Sequence, residues 1–129
     1  MYLIKGARRN GIAISAANFV TITNNEISDT FNPDHTEICS GIDVEPLAGQ
    51  LATNLYIANN YIHGNYGCGI SLYGNVGGSV NAEVIVNVSI DNNFFDDNVK
   101  AGRDISQTYV ASLEATTTAK LSITNNELT

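Results

Sequence analysis

The stretch GIDVEP, residues 41–46, alternates apolar and acidic side chains. On a strand, Ile42 and Val44 point one way and Asp43 and Glu45 the other. Their Cβ atoms then lie roughly 7 Å apart, since a strand rises about 3.3 Å per residue. Two carboxylates at that spacing suit an acid/base pair for glycoside cleavage or a shared metal ion. A Ca²⁺ site takes more oxygens than two carboxylates supply, and Asp34 or Glu37 in the preceding loop would add them. The same loop brings His35, the usual proton shuttle near neutral pH, towards the strand. The catalytic candidates are therefore Asp43, Glu45 and His35, and the metal candidates Asp43, Glu45 and Asp34. The alternative is a solvated acidic strand face that keeps neighbouring chains away, preceded by a polar turn that Asn32-Pro33 opens.

What must position these groups is a repeat. NFVTITNNEIS (18–28), NLYIANNYIHG (54–64), NVSIDNNFFDD (87–97) and AKLSITNNELT (119–129) share one pattern, and their second Asn falls at 25, 60, 93 and 126, steps of 35, 33 and 33. A period in this range marks a repeat architecture. A second element, Gly-Ile, recurs in NGIAIS (10–15), SGIDVEP (40–46) and CGISLYG (68–74). Its fourth copy is either GRDIS (102–106) or YVASLEA (109–115). No unit shows a helical period, and Asn-Gly occurs once, at Asn10-Gly11, and Asp-Gly nowhere, so no hairpin-turn signal recurs with the repeat.

Equivalent strands stacked in parallel about 4.8 Å apart explain the pattern. Ile22, Ile57, Ile90 and Ile123 form one inward column. Val20, Leu55, Val88 and Leu121 form a second, and Ile27, Ile62, Phe95 and Leu128 a third. Thr21/Thr23, Tyr56/Ala58, Ser89/Asp91 and Ser122/Thr124 face water. Within each Asn-Asn pair one residue takes the left-handed conformation and the other stacks on its counterparts. Counting by alternation assigns the inward ladder to Asn24, Asn59, Asn92 and Asn125.

The stack also places further candidates. Ser71 and Tyr73 take the outward positions beside Asp43 and Glu45. Tyr66 and Tyr73 flank one Gly-Ile strand and suit stacking on sugar rings. Arg103 lies near the fourth Gly-Ile copy, about 10 Å from Asp43 along the stack, where it either joins a groove or pairs with Asp104. His63 faces outward on the third strand as a surface histidine. Cys39 and Cys68 each fall at a Gly-Ile step and are near neighbours, as free buried thiols or as a disulfide.

With these motifs the chain resembles the right-handed parallel β-helix proteins of the pectate-lyase-like superfamily. The coil NLYIANNYIHGNYGCGISLYGN and the strand GIDVEP carry the likeness. It implies an all-β, right-handed parallel β-helix solenoid of about four coils of three short strands with an Asn ladder, and a polysaccharide as partner. It places the Gly-Ile strand first in each coil and a carbohydrate site on its loops. The distance from the Gly-Ile isoleucine to the second Asn is 13, 18 and 23 residues in successive units, so insertions fall after that strand. β-Elimination lyases of this superfamily use an Arg or Lys base with Ca²⁺, but no complete catalytic signature of a lyase, hydrolase or epimerase is present. The expectation is a carbohydrate-active module of lyase or hydrolase type. The alternative is a non-catalytic shaft of an adhesin or phage tail fibre. By the same likeness the setting is extracellular, cell-surface or virion.

Bulk properties narrow this further. Of 129 residues, 43% are apolar, 15% are charged and the net charge is −7. Nucleic-acid binding needs a basic surface and is not expected, nor is unaided binding of a polyanion. No stretch is long enough to span a membrane as a helix, and no apolar leader of a signal peptide is seen. Because the repeat pattern still runs at the last residues, the reading is a single β-helix domain, 1–129, that is a piece of a longer one or assembles end to end or as a homotrimer.

Overall fold

A computed structural model describes residues 1–33, 39–47, 49–73, 85–98 and 120–129, together with the backbone of 108–111. All its regular elements are strands: β1 (Leu3–Lys5), β2 (Ile12–Ile14), β3 (Ala17–Thr23), β4 (Glu26–Ser28), β5 (Ile42–Val44), β6 (Ala52–Ala58), β7 (Tyr61–His63), β8 (Ile70–Tyr73), β9 (Ile85–Asp91), β10 (Phe94–Asp96), β11 (Thr108–Ala111), β12 (Leu121–Thr124) and β13 (Glu127–Leu128). Every third strand is a neighbour. The sheets run β2-β5-β8-β11, β3-β6-β9-β12 and β1-β4-β7-β10-β13, with every pairing parallel. This is the arrangement of a parallel β-solenoid, three sheets around one apolar interior.

The register follows the repeat. Val20, Leu55, Val88 and Leu121 are Cα partners, as are Ile22, Ile57, Ile90 and Ile123. Ile27, Ile62, Phe95 and Leu128 line up in the third sheet. With Ile42, Val44, Ile70 and Leu72 from the first sheet, these columns supply most of the buried core. The fourth Gly-Ile equivalent lies in the second of the two candidate segments, where Tyr109 partners Ser71. GRDIS, with Arg103 and Asp104, is outside the described residues. Tyr56 is outward and exposed as expected, but Ala58 is fully buried.

The glycines of the first two Gly-Ile steps are dictated by close approach. A Cβ on Gly11 would sit 2.7 Å from the Gly41 carbonyl oxygen, and one on Gly41 would sit 2.7 Å from that of Gly69. The chain at Gly11 and Gly41 thus runs too close to the next coil for any side chain. Cys39 and Cys68 are both buried and both free thiols.

Three sets of left-handed residues bend the coil. Asn24, Asn59, Asn92 and Asn125 have φ of 51–58° at the corner between the second and third sheets. Gly6, Asp29, Gly64 and Asp97 hold the corner after the third sheet, and Phe19, Asn54 and Asn87 interrupt the long strands of the second. The expected ladder is therefore corrected: Asn24, Asn59, Asn92 and Asn125 are the bending residues, and Asn25, Asn60, Asn93 and Asn126 form the inward ladder. Asn60 and Asn93 are each 2% exposed. The Asn93 Oδ1 accepts from the Asn60 backbone N–H and from Asn60 Nδ2, both at 3.0 Å, while Asn93 Nδ2 donates to Ile57 O and to Asn126 Oδ1. Asn60 repeats this towards Asn25 and Ile22, and Asn126 towards Asn93 and Ile90. A second ladder, not foreseen, has the same geometry at the next corner. Asn98 Oδ1 accepts from the Asn65 N–H and amide, and the two amides donate to Ile62 O and Ile27 O.

Two stability tests follow from these roles. Asn93→Leu leaves the Asn60 N–H, the Asn60 amide and the Ile57 carbonyl without the partners that Asn93 supplies, and is expected to cost about 3 kcal/mol or more in denaturant unfolding. Asn92→Gly, at φ 51°, is expected to cost less than about 1 kcal/mol. Equal effects would mean that the two corner positions are equivalent. Phe19 holds φ 59° with a ring 79% exposed, where the neighbouring coils use Asn54 and Asn87. Phe19→Asn is expected to stabilise by about 1 kcal/mol, because Asn tolerates this conformation at lower cost. A lower melting temperature for that variant would count against it.

Candidate functional site

The first sheet carries the candidate site because its outward positions are acidic in β5 alone. Asp43 partners Ala13 of β2 and Ser71 of β8. Small Ala13 on one side leaves space beside the carboxylate. A cleft of about 500 Å³ opens there, lined by Arg9, Asn10, Ala13, Ile14, Ser15, Asp43, Glu45 and Leu47. Its walls come from two successive coils. The backbone holds them together where the Ile12 N–H donates to Gly41 O and the Glu45 N–H to Ile14 O, both at 2.9 Å.

Asp43 is half-buried in this cleft. Burial pushes its carboxyl above the ordinary value, and the adjacent Glu45 charge adds to the rise. The Ser71 hydroxyl, the Arg9 guanidinium and the Asn10 amide pull it part of the way back. Asn10 Nδ2 donates to Asp43 Oδ2 at 2.7 Å, and Asn10 Oδ1 accepts from the Ser40 N–H at 2.9 Å. Asp43 is thus biased towards holding its proton, beside a second carboxylate on the same face. A carboxyl raised in this way suits the acid role in a two-carboxylate site.

The other candidates spread out. Ser71 is buried, 8% exposed, and adjoins Asp43 instead of facing an open groove. Ser71 and Tyr73 are not among the residues lining the cleft, which opens towards β2 and not towards β8. Tyr66 stands in the turn between β7 and β8, edge-on to Phe31 with ring centroids 6.3 Å apart. His63 faces outward on the third sheet, 3.2 Å from Glu26 Oε1 and stacked on Tyr61 at 4.0 Å. His35, Asp34 and Arg103 lie outside the described residues. Among the described residues no group of three or more His, Cys, Asp or Glu side chains is placed to hold a metal. Asp43 and Glu45 by themselves supply fewer than the about six to eight oxygens that Ca²⁺ takes, and the further donor expected of the loop, Asp34, is one of the residues outside the described set.

Asn10 was not foreseen as a site residue, and Arg9 stood out in the sequence only as one of its few basic residues. Asn10 precedes a Gly-Ile step in the coil before GIDVEP, so its place beside Asp43 depends on how neighbouring coils stack. No protein family, curated protein or solved structure matches the chain in comparisons of sequence and structure.

Proposed function

We propose that this chain is a carbohydrate-active stretch of a right-handed parallel β-helix of the pectate-lyase-like kind, cleaving a polysaccharide by hydrolysis at the cleft on the first sheet. The observation that carries this reading is the convergence of Asp43 and Glu45, with Asp43 biased towards its protonated form, in a single cleft. In this reading Asp43 gives its proton to the glycosidic oxygen as the C–O bond breaks. Glu45 takes a proton from the water that adds to the sugar carbon, so proton and oxygen both balance. A net charge of −7 and two carboxylates in the cleft favour a neutral or sparsely charged sugar chain. Among the described residues lining the cleft, Arg9 is a cation whose charge acts on Asp43.

The test is a panel of neutral and acidic polysaccharides, with and without EDTA, scored separately for new reducing ends and for unsaturated products by absorbance. Reducing ends without unsaturated products, insensitive to EDTA, are expected. Asp43→Asn and Glu45→Gln should each lower the rate at least about 100-fold. Unsaturated products lost on EDTA treatment would replace hydrolysis by metal-assisted elimination. No product from any polysaccharide would leave the stiff, non-catalytic shaft, a reading that the unbroken Asn ladders favour.

The same carboxyl makes a stability prediction. A carboxyl raised in the folded state opposes folding once it ionises, so its penalty appears as pH rises from the unfolded towards the folded value and persists above it. Asp43→Asn is therefore expected to raise the melting temperature at pH 7 and to have no such benefit below pH 3.8, the ordinary Asp value. A lower melting temperature at pH 7 would contradict the unfavourable burial of this charge.

A further inference from the structure

We propose that Asn10 is the positioning residue of the cleft, a side chain that reaches from one coil to the next and fixes how Asp43 presents its carboxyl. The inference rests on the proposed role of Asp43, but its geometry stands independently. The Asn10 amide is used at both ends: Oδ1 accepts from the Ser40 N–H at 2.9 Å, and Nδ2 donates to Asp43 Oδ2 at 2.7 Å. The first contact anchors the amide to the backbone immediately before Gly41, where the close packing of the coils leaves no room even for a Cβ. That anchor decides which end of the amide faces Asp43, because a flipped amide would set Nδ2 against the Ser40 N–H and Oδ1 against a carboxylate oxygen.

The consequence is chemical as well as geometric. An N–H held on Oδ2 occupies that oxygen, so the proton of a neutral Asp43 resides on Oδ1. The acid is thereby given one oxygen and one direction, and a hydrogen bond from Asn10 favours the charged form. Burial and Glu45 act the other way. Asn10 thus joins the Ser71 hydroxyl and the Arg9 guanidinium in holding that rise back, and of the three it is the one that fixes Oδ2 by a hydrogen bond anchored in the next coil's backbone. Ser40 occupies the corresponding place one coil on, and Cys68 the next, so the stack itself accepts a shorter side chain at this position. The amide thus serves two groups, the Ser40 N–H of the backbone and the Asp43 carboxyl.

The experiment compares the wild-type chain with Asn10→Ser and Asn10→Gln. The carboxyl carbon of Asp43, assigned by its loss in Asp43→Asn, is titrated by NMR, and thermal melting is recorded for each variant. Asn10→Ser, which also takes the Asn10 Oδ1 acceptor from the Ser40 N–H, is expected to move the Asp43 titration further upward and to lower the melting temperature while leaving the chain folded. With a cleaved polysaccharide in hand, its kcat should fall about tenfold with KM little changed, and its pH–rate profile should shift in the direction of the titration. Asn10→Gln, which keeps the donor, should recover part of both. The same substitution made in Asp43→Asn should have no further effect on rate. An unmoved Asp43 titration in Asn10→Ser would overturn the proposal. A moved titration in a chain that cleaves no polysaccharide would uphold the positioning role and remove the carbohydrate reading.

Discussion

The structure depends on what happens to backbone hydrogen bonds where the chain turns a corner. Along each flat side, N–H and C=O groups pair with the next coil. At a sharp corner the bend swings one N–H off its carbonyl partner, inside a core where an unmet donor costs about 1–3 kcal/mol. Asn93 meets that need: its Oδ1 takes the Asn60 N–H while its Nδ2 serves the Ile57 carbonyl. The side-chain amide stands in for a peptide group, with the same donor and acceptor, and it can be stacked without limit. Asn65 and Asn98 do the same at the following corner. Only parallel, in-register stacking brings each amide to its counterpart one coil away, so the ladders specify the register of all three sheets. They also explain why the sequence carries no insertion at the Asn-Asn corner.

Much of this was legible because two periods agree, the alternation of two within each strand and the repeat of 33 to 35 between coils. The inward isoleucine columns come directly from that agreement, and the register reproduces them residue by residue. The assignment of the Asn ladder to the first member of each pair failed for a definite reason. Alternation holds only while the backbone stays extended. Asn24, Asn59, Asn92 and Asn125 have positive φ, which rotates the chain and resets the parity, so the following residue points inward. The same interruption at Phe19, Asn54 and Asn87 splits the long strands of the second sheet. A sign of it was present in the sequence, since Asn also recurs at 54 and 87. The second ladder had its own sign, Asn65 and Asn98 standing five residues after Asn60 and Asn93, as Thr30 stands five after Asn25.

The candidate site was only half legible for a related reason. Asp43 and Glu45 share a face by alternation within one strand, and that is a local property. What surrounds them is set by the coils on either side. Ala13 leaves the opening, Asn10 supplies the amide, and strand β11 alongside β8 accompanies the burial of Ser71. These relations link residues about 30 apart through stacking, and the Gly-Ile strands are separated by unequal numbers of residues, so no fixed offset reveals them. Tyr73 and Ser71 were drawn to the cleft by register alone, which places Cα atoms side by side without saying towards which neighbour the surface is open.

Rigid corners and a variable face are two results of one division of labour. The amide ladders hold the corners on either side of the third sheet by contacts that any substitution in the inward Asn would break. The first sheet has strands of three or four residues, and the insertions of the sequence gather after them. A strained or unfavourable group is tolerated best where the surrounding register is fixed elsewhere. Asp43 is such a group: half-buried, beside a second carboxylate, and biased towards neutrality. It opposes folding in the neutral pH range, and the ladders supply stability against which that cost can be offset. A charge buried at a cost, in a cleft between coils whose spacing the backbone dictates, is the kind of group that the proposed function requires and that a fold needing only its register would omit.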